Sequence, residues 1–432
     1  MCASIILSAT GCENKPVNEN LEENQEPKYE VSKEYVLEDF SRPLWDGDIM
    51  TNESVLFMDT DDTVILNKKP QNSETPELMD FEAEIVRAKS LLYPAEEIYA
   101  VYSHDRKTEY IKGNDWELVD GKIALCPGSS IPVMTEEFFY PQTTENGAFE
   151  STVEGHKYIL FGESTTMTQW QVVVTYKHSG TWEGPLPTAQ SEKIKNFIKK
   201  LENGEEVTIV FYGDSITTGA NSSGPIGVSP AIPSFAQIIT EYIAEKYGYS
   251  VSKEADPFNF DLTKEPLSGE KVIHYINTAV GGTTSSWGIE NIEERVLAYE
   301  PDLFVLAFGM NEGGSSMKEF TGSITKLTGI VQEAFPEVET VLVSSMLPHY
   351  RVKGFYGNQY QHGEALEDLV QNSTELNTSK IAVANVTEVH DYILKFKEYY
   401  DMTGNNVNHP NDFLARAYTS VILGTMFEDY GK

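Results

Sequence analysis

The chain is poor in cysteine, in basic residues and in long apolar runs. Its three cysteines among 432 residues, Cys2, Cys12 and Cys126, imply no disulfide framework. No Cys cluster supports a zinc site, and His349, His362 and His390 have no metal-ligand spacing among themselves. Lys and Arg total 32 against 67 for Asp and Glu, a formal net charge of -35. So acidic a surface repels phosphate backbones and anionic lipid, which argues against nucleic-acid binding. No apolar run approaches the ~20 residues that span a bilayer. No Gly-Lys-Ser/Thr follows a glycine loop, so no cofactor is indicated.

Hydrophobic residues at 40% and aromatics at 11% suffice for packed cores, and the length favours two domains. At the amino terminus Ala9 and Gly11 precede Cys12, a pattern similar to a bacterial lipoprotein cleavage box. It departs from that box in having Ala9 where Leu is usual and in lacking a basic leader. Residues 13–27 are rich in Glu, Asn and Pro and read as a flexible tether. The expectation is an extracellular, cell-surface bacterial lipoprotein with a lipid anchor at Cys12, residues 1–27 forming signal and linker.

Residues 28–190 carry short alternating runs separated by turn residues, with Asp120-Gly121 as a strong hairpin signal. The spacing predicts an all-β, jelly-roll-like sandwich. Trp116, Trp170 and Trp182 could stack on sugar rings, but core placement is the stronger expectation, since Trp is buried on average. Gly180 to Pro187 is Gly/Pro-rich and reads as a linker. From 191 to 432 the pattern changes. Strands are predicted at 207–212, 272–277, 303–308, 340–345 and 381–383. Helices are predicted at 191–203, 234–247, 289–299, 318–335, 364–375, 386–399 and 412–429, and 250–270 reads as an insertion loop. Alternation of this kind predicts an α/β domain, a parallel sheet with helices on both faces.

The apolar run 207–212 stops at Gly213-Asp214-Ser215-Ile216-Thr217, which puts Ser215 at the carboxyl end of a strand, where open α/β sheets bind ligands. A serine there is otherwise a helix cap. Downstream come Asn277-Thr278-Ala279-Val280-Gly281-Gly282, then Gly309-Met310-Asn311-Glu312, then Asn406-Val407-Asn408-His409-Pro410. In this order the four stretches resemble the motifs of the SGNH (GDSL) hydrolases, which implies a flavodoxin-like catalytic domain behind the β-domain. By that resemblance Ser215 is the nucleophile and His409 the general base. The oxyanion hole is formed by Ser215, Gly282 (with Gly281 as fallback) and Asn311. Glu312 replaces the family's Asp, and Asn406 stands where the final motif has the Asp that orients the histidine. A Ser–His dyad held by a neutral acceptor such as Asn406 is therefore expected, with Asp412 or Asp401 as the competing orienter. Asp412 also reads as the N-cap of the last helix. The resemblance, the β-domain and the extracellular setting together imply a secreted serine esterase. It would remove acyl groups, foremost O-acetyl, from carbohydrate through an acyl-enzyme. A lipase or thioesterase of the same family is one alternative. A catalytically idle carbohydrate-binding lipoprotein is another, kept open by Asn406.

Overall fold

The apolar run ahead of Ser215 forms strand β1 (Val207–Gly213) in the middle of a six-stranded parallel sheet. The computed structural model describes residues 29–67, 83–145 and 147–431. The other strands are β2 (Ser250–Ala255), β3 (Val272–Asn277), β4 (Leu303–Ala307), β5 (Glu339–Val343) and β6 (Ile381–Ala384). Their order is β2-β3-β1-β4-β5-β6, every pair parallel. Without the edge strand β2 this is the flavodoxin-like order. The expected loop at 250–270 is thus corrected at its start. Residues 250–255 pair with β3 as a polar edge strand, whose Ser, Lys and Glu side chains hid it from an apolar-run reading.

Helices α1 (Lys195–Asn203), α2 (Phe235–Tyr247), α3 (Ser285–Arg295), α4 (Met317–Ala334), α5 (His362–Asn372), α6 (Val386–Ile393) and α7 (Asp412–Met426) cover both faces. Period-2 alternation sorts β1 between two cores. Ile209 and Phe211 join Phe235 of α2 and Phe413 of α7, while Val210 and Tyr212 join Ile292 of α3, Phe320 of α4 and Leu366 of α5. A strand covered on both sides needs apolar residues throughout, which is why the run lacks polar alternation. The N-cap of α7 is Asn411, which accepts from the Leu414 N–H, and not Asp412.

Among the described residues the β-rich half holds two four-stranded sheets and a hairpin. One sheet orders Ala95–Ser103, Gln171–His178, Ile49–Met58 and Val133–Met134. The other orders Thr63–Asn67, Ala83–Lys89, Lys122–Leu125 and Trp116–Val119. The hairpin pairs Ala148–Glu150 with Tyr158–Leu160. Asp120 and Gly121 have φ of 50° and 77°, the positive pair that a tight hairpin turn demands. Trp116 is buried, with its indole N–H on the Tyr110 carbonyl. Trp170 packs on Phe138, and Trp182 on Trp45 and Tyr392. The described residues from Val31 onward belong to one compact unit, because one apolar core runs from Val55, Val101 and Tyr176 into the helices over β1. Polar clamps accompany it. Lys397 reaches Glu53 at 2.6 Å with neither side chain exposed, and the buried Arg416 donates to the carbonyls of Arg42 and Thr51. The expected anchor at Cys12 and the tether of residues 13–27 lie outside the described residues. Among the described residues no helix is long and apolar enough to cross a membrane.

Candidate active site

Parallel strands put all their carboxyl ends on one edge, and the strand order reverses at β1, so a crevice opens there. Ser215 leaves β1, Gly281 and Gly282 follow β3, and Asn311 follows β4, three adjacent strands. His409 enters from the loop before α7. All five line one cavity of about 940 Å³.

Close approach of β1 and β4 sets the serine turn. A Cβ on Gly213 would collide with the Thr217 hydroxyl and the Ala307 carbonyl, so only glycine fits. The Asp214 carboxylate accepts from the Ile216 N–H at 3.0 Å and the Met310 N–H at 3.2 Å. It therefore ties the serine turn to the turn that carries Asn311. From the other side, β3 is extended alongside β1 by the Val280 N–H on the Gly213 carbonyl. Gly281 then lies beside Ser215, where an added Cβ would stand 3.7 Å from the serine Cβ, and Gly282 has φ of 75° with open space where a Cβ would stand. One Asn311 amide hydrogen is donated to the Thr283 carbonyl at 2.8 Å, which leaves the second for the cavity. Glu312, in the place of the family's Asp, accepts from the backbone N–H and hydroxyl of Ser285 at the start of α3. The glycine turn and the asparagine turn are thereby locked to each other.

The expected orienters of His409 need correction. Asn406 donates to the Leu160 carbonyl at 2.9 Å. Asp412 accepts from the Ser223 N–H at 2.9 Å. Asp401 accepts from the Leu56 N–H at 2.8 Å. Instead, His409 Nδ1 faces two oxygens that sequence reasoning did not single out: Asn221 Oδ1 at 2.7 Å and Glu163 Oε2 at 3.1 Å. The Asn221 amide is oriented by its own donation to the Ser164 and Gly404 carbonyls, so its oxygen points at the ring. Two acceptors at Nδ1 require the hydrogen there, which leaves Nε2 with a lone pair. Contact with His409 holds the Glu163 carboxyl below its ordinary value against the opposing effect of burial. Glu163 lies in the β-rich half, 246 residues from His409, and no local pattern marks it. Phe149, Phe161 and Phe355 also line the cavity, whereas Trp116, Trp170 and Trp182 are not among its lining residues. Among the described residues no group of three or more His, Cys, Asp or Glu could hold a metal ion.

Burial raises three carboxyls near the site, Asp214 to about 7, Asp412 to about 6, and Glu312. Below pH ~4 such a carboxyl is protonated whether folded or unfolded, and above its folded value it is ionised in both. Between these limits only the unfolded chain ionises, so stability falls as pH rises, by up to about 1.4 kcal/mol per pH unit and group. Asp214→Asn, which resembles the protonated acid, should flatten the slope between pH 5 and 7. Urea unfolding at both pH values reads this, and an unchanged slope would contradict it.

Residues 209–411 match the family described as GDSL-like Lipase/Acylhydrolase. In a comparison with curated proteins nothing matches. Among solved structures the chain is similar to a two-domain esterase (CEX) active on acetylated mannans, co-crystallized with mannopentaose. The identity is 20% over 56% of this chain and 54% of that one, at a TM-score of 0.41. It is also similar to the acetyl xylan esterase Axe2 from Geobacillus stearothermophilus, with 18% identity over 50% and 93% of the two chains and a TM-score of 0.35. A third is a carbohydrate esterase family 3 protein from Talaromyces cellulolyticus, with 18% identity over 50% and 94% and a TM-score of 0.36. The chain thus spans about half the length of the two-domain esterase.

Proposed function

The C-terminal half of this chain is a GDSL/SGNH acylhydrolase domain, and from that premise we propose that the protein is a serine esterase that removes O-acyl groups, foremost acetyl, from carbohydrate. The observation that carries the reading is the meeting of Ser215, the Gly281–Gly282 turn, Asn311 and His409 in one cavity. In the proposed reaction His409 Nε2 takes the Ser215 proton as Oγ attacks the ester carbonyl. The oxyanion is held by glycine-turn N–H groups and the free Asn311 amide hydrogen. Collapse releases the sugar hydroxyl, which takes the proton from His409, and water then hydrolyses the acyl-enzyme by the same steps reversed. Phe149 and Phe161, edge to face at 5.0 Å, and Phe355 offer the aromatic surface on which the apolar face of a sugar ring stacks. The acidic surface, with its formal charge of -35, suits an extracellular setting and a neutral glycan better than a polyanion.

The same apolar walls support one second reading, a longer or aromatic acyl group seated against the phenylalanines. Hydrolysis of acetylated mannan, acetylated xylan and a p-nitrophenyl ester series separates the two. Acetyl preference with release of acetate from a polysaccharide is expected. Rates that rise steadily with chain length and no acetate from either polysaccharide would favour the second. Asn311→Ala should lower kcat about 10²- to 10³-fold on the best substrate, the typical cost of one oxyanion donor. A change in KM alone would remove Asn311 from the hole.

A further inference from the structure

We propose that Glu163 is the positioning carboxylate of His409, delivered by the β-rich half in place of the aspartate that the final motif lacks at Asn406. The inference rests on the esterase reading. Its geometric basis is the pair of acceptors at His409 Nδ1, Glu163 Oε2 at 3.1 Å and Asn221 Oδ1 at 2.7 Å. Asn221 fixes the tautomer but has no charge to offer. When Nε2 takes the Ser215 proton the ring becomes a cation, and only a carboxylate opposes that charge. Glu163 is held for the task from the C-terminal side, since Asn405 donates to its other oxygen, Oε1, at 3.2 Å. The Asn405 side-chain oxygen in turn accepts the backbone N–H of His409 at 3.0 Å, so one asparagine registers both ends of the His–Glu contact.

The rest of the histidine loop is fastened to the same half. Gln171 donates to the carbonyls of Tyr400 and Thr403, and Asn411 donates to Ser54 Oγ. The β-rich half thus holds the loop as well as supplying the acid. The side chain of Glu163 is 52% exposed, so solvent screens its charge and its effect should fall short of that of a fully buried triad acid. Glu163 and Arg295 are the charged side chains among those that line the cavity with His409. Arg295 donates to the Thr278 carbonyl. Behind the loop, Asp412 faces Ser223 and is influenced by Arg106.

The test is Glu163→Gln in the full chain, which keeps the shape and removes the charge. The expected result is a fall in kcat of about 10- to 100-fold with KM within about twofold, below the ~10⁴ that a buried triad acid is worth. The acid limb of the pH–kcat/KM profile should move to lower pH, because the imidazolium loses its counter-charge. Glu163→Asp should recover part of the rate. Glu163→Gln with wild-type kcat and an unmoved acid limb would overturn the inference, and so would an equal rate loss in all Glu163 variants without a pH shift. The premise fails separately. If Ser215→Ala left the activity intact the serine mechanism on which this inference rests would go, whereas a Ser215-dependent enzyme indifferent to Glu163 would refute this inference alone.

Discussion

Ser215→Ala should lower kcat on the best ester by ~10³-fold or more while the melting temperature stays close to that of the parent. The hydroxyl is the only group removed. Ser215 is 5% exposed, and its backbone carbonyl, which the substitution keeps, already anchors the turn by accepting the Thr218 hydroxyl at 2.6 Å and the Ala220 N–H at 3.1 Å. The remaining oxyanion donors should leave only weak catalysis, since binding and polarisation without a nucleophile produce no acyl-enzyme. The matching control is His409→Ala, expected to be about as damaging because a nucleophile and its general base contribute as one unit. A double variant should therefore be little worse than either single one. Near-normal kcat in Ser215→Ala would mean that another group attacks the ester.

The second large effect is on stability. Lys397→Met should cost about 3–5 kcal/mol, the usual penalty for leaving a buried charge without its partner. Both side chains of the Lys397–Glu53 pair are 0% exposed. The Glu53 carboxylate also accepts the Tyr176 hydroxyl at 2.6 Å and the Leu92 N–H at 2.8 Å, so it is committed to its place and cannot turn to water. Pairing Lys397→Met with Glu53→Gln removes the stranded charge and should recover much of the loss. Urea denaturation of the single and the double variant against the parent measures this. A single-variant loss below about 1 kcal/mol would show that the pair is not desolvated as described. The pair also joins the first strand of the β-rich half to the segment just ahead of the histidine loop, so partial unfolding there should lower activity together with stability.

What the sequence disclosed and what it hid divide along contact range. The strand before Ser215 is legible because a chain covered on both faces must be apolar at every position, and Gly213 marks where it has to stop. The order of Ser215, Gly281–Gly282, Asn311 and His409 is legible because each follows or precedes a regular element at a fixed edge of the sheet. The strand at Ser250–Ala255 was hidden, since an edge strand has a polar side and resembles a loop. Asp412 reads as a cap because it opens a helix, yet Asn411 has the extended backbone and the side-chain bond that capping requires. The environment of His409 was hidden most deeply. Asn406, at the family's spacing, has its side chain drawn off to Leu160, and the oxygens on the ring come from Asn221 and Glu163, 188 and 246 residues away. No periodicity or motif carries information over such separations. Only the packing of the two halves reveals it.

The most direct test of the central claim is to label the protein with a reactive phosphonate ester, which traps a serine made nucleophilic by a neighbouring base, and to locate the adduct by peptide mass spectrometry. A single stoichiometric adduct is expected on the peptide containing Ser215, formed much more slowly in His409→Ala and absent in Ser215→Ala. An adduct on another residue, or none in a protein that still hydrolyses esters, would contradict it.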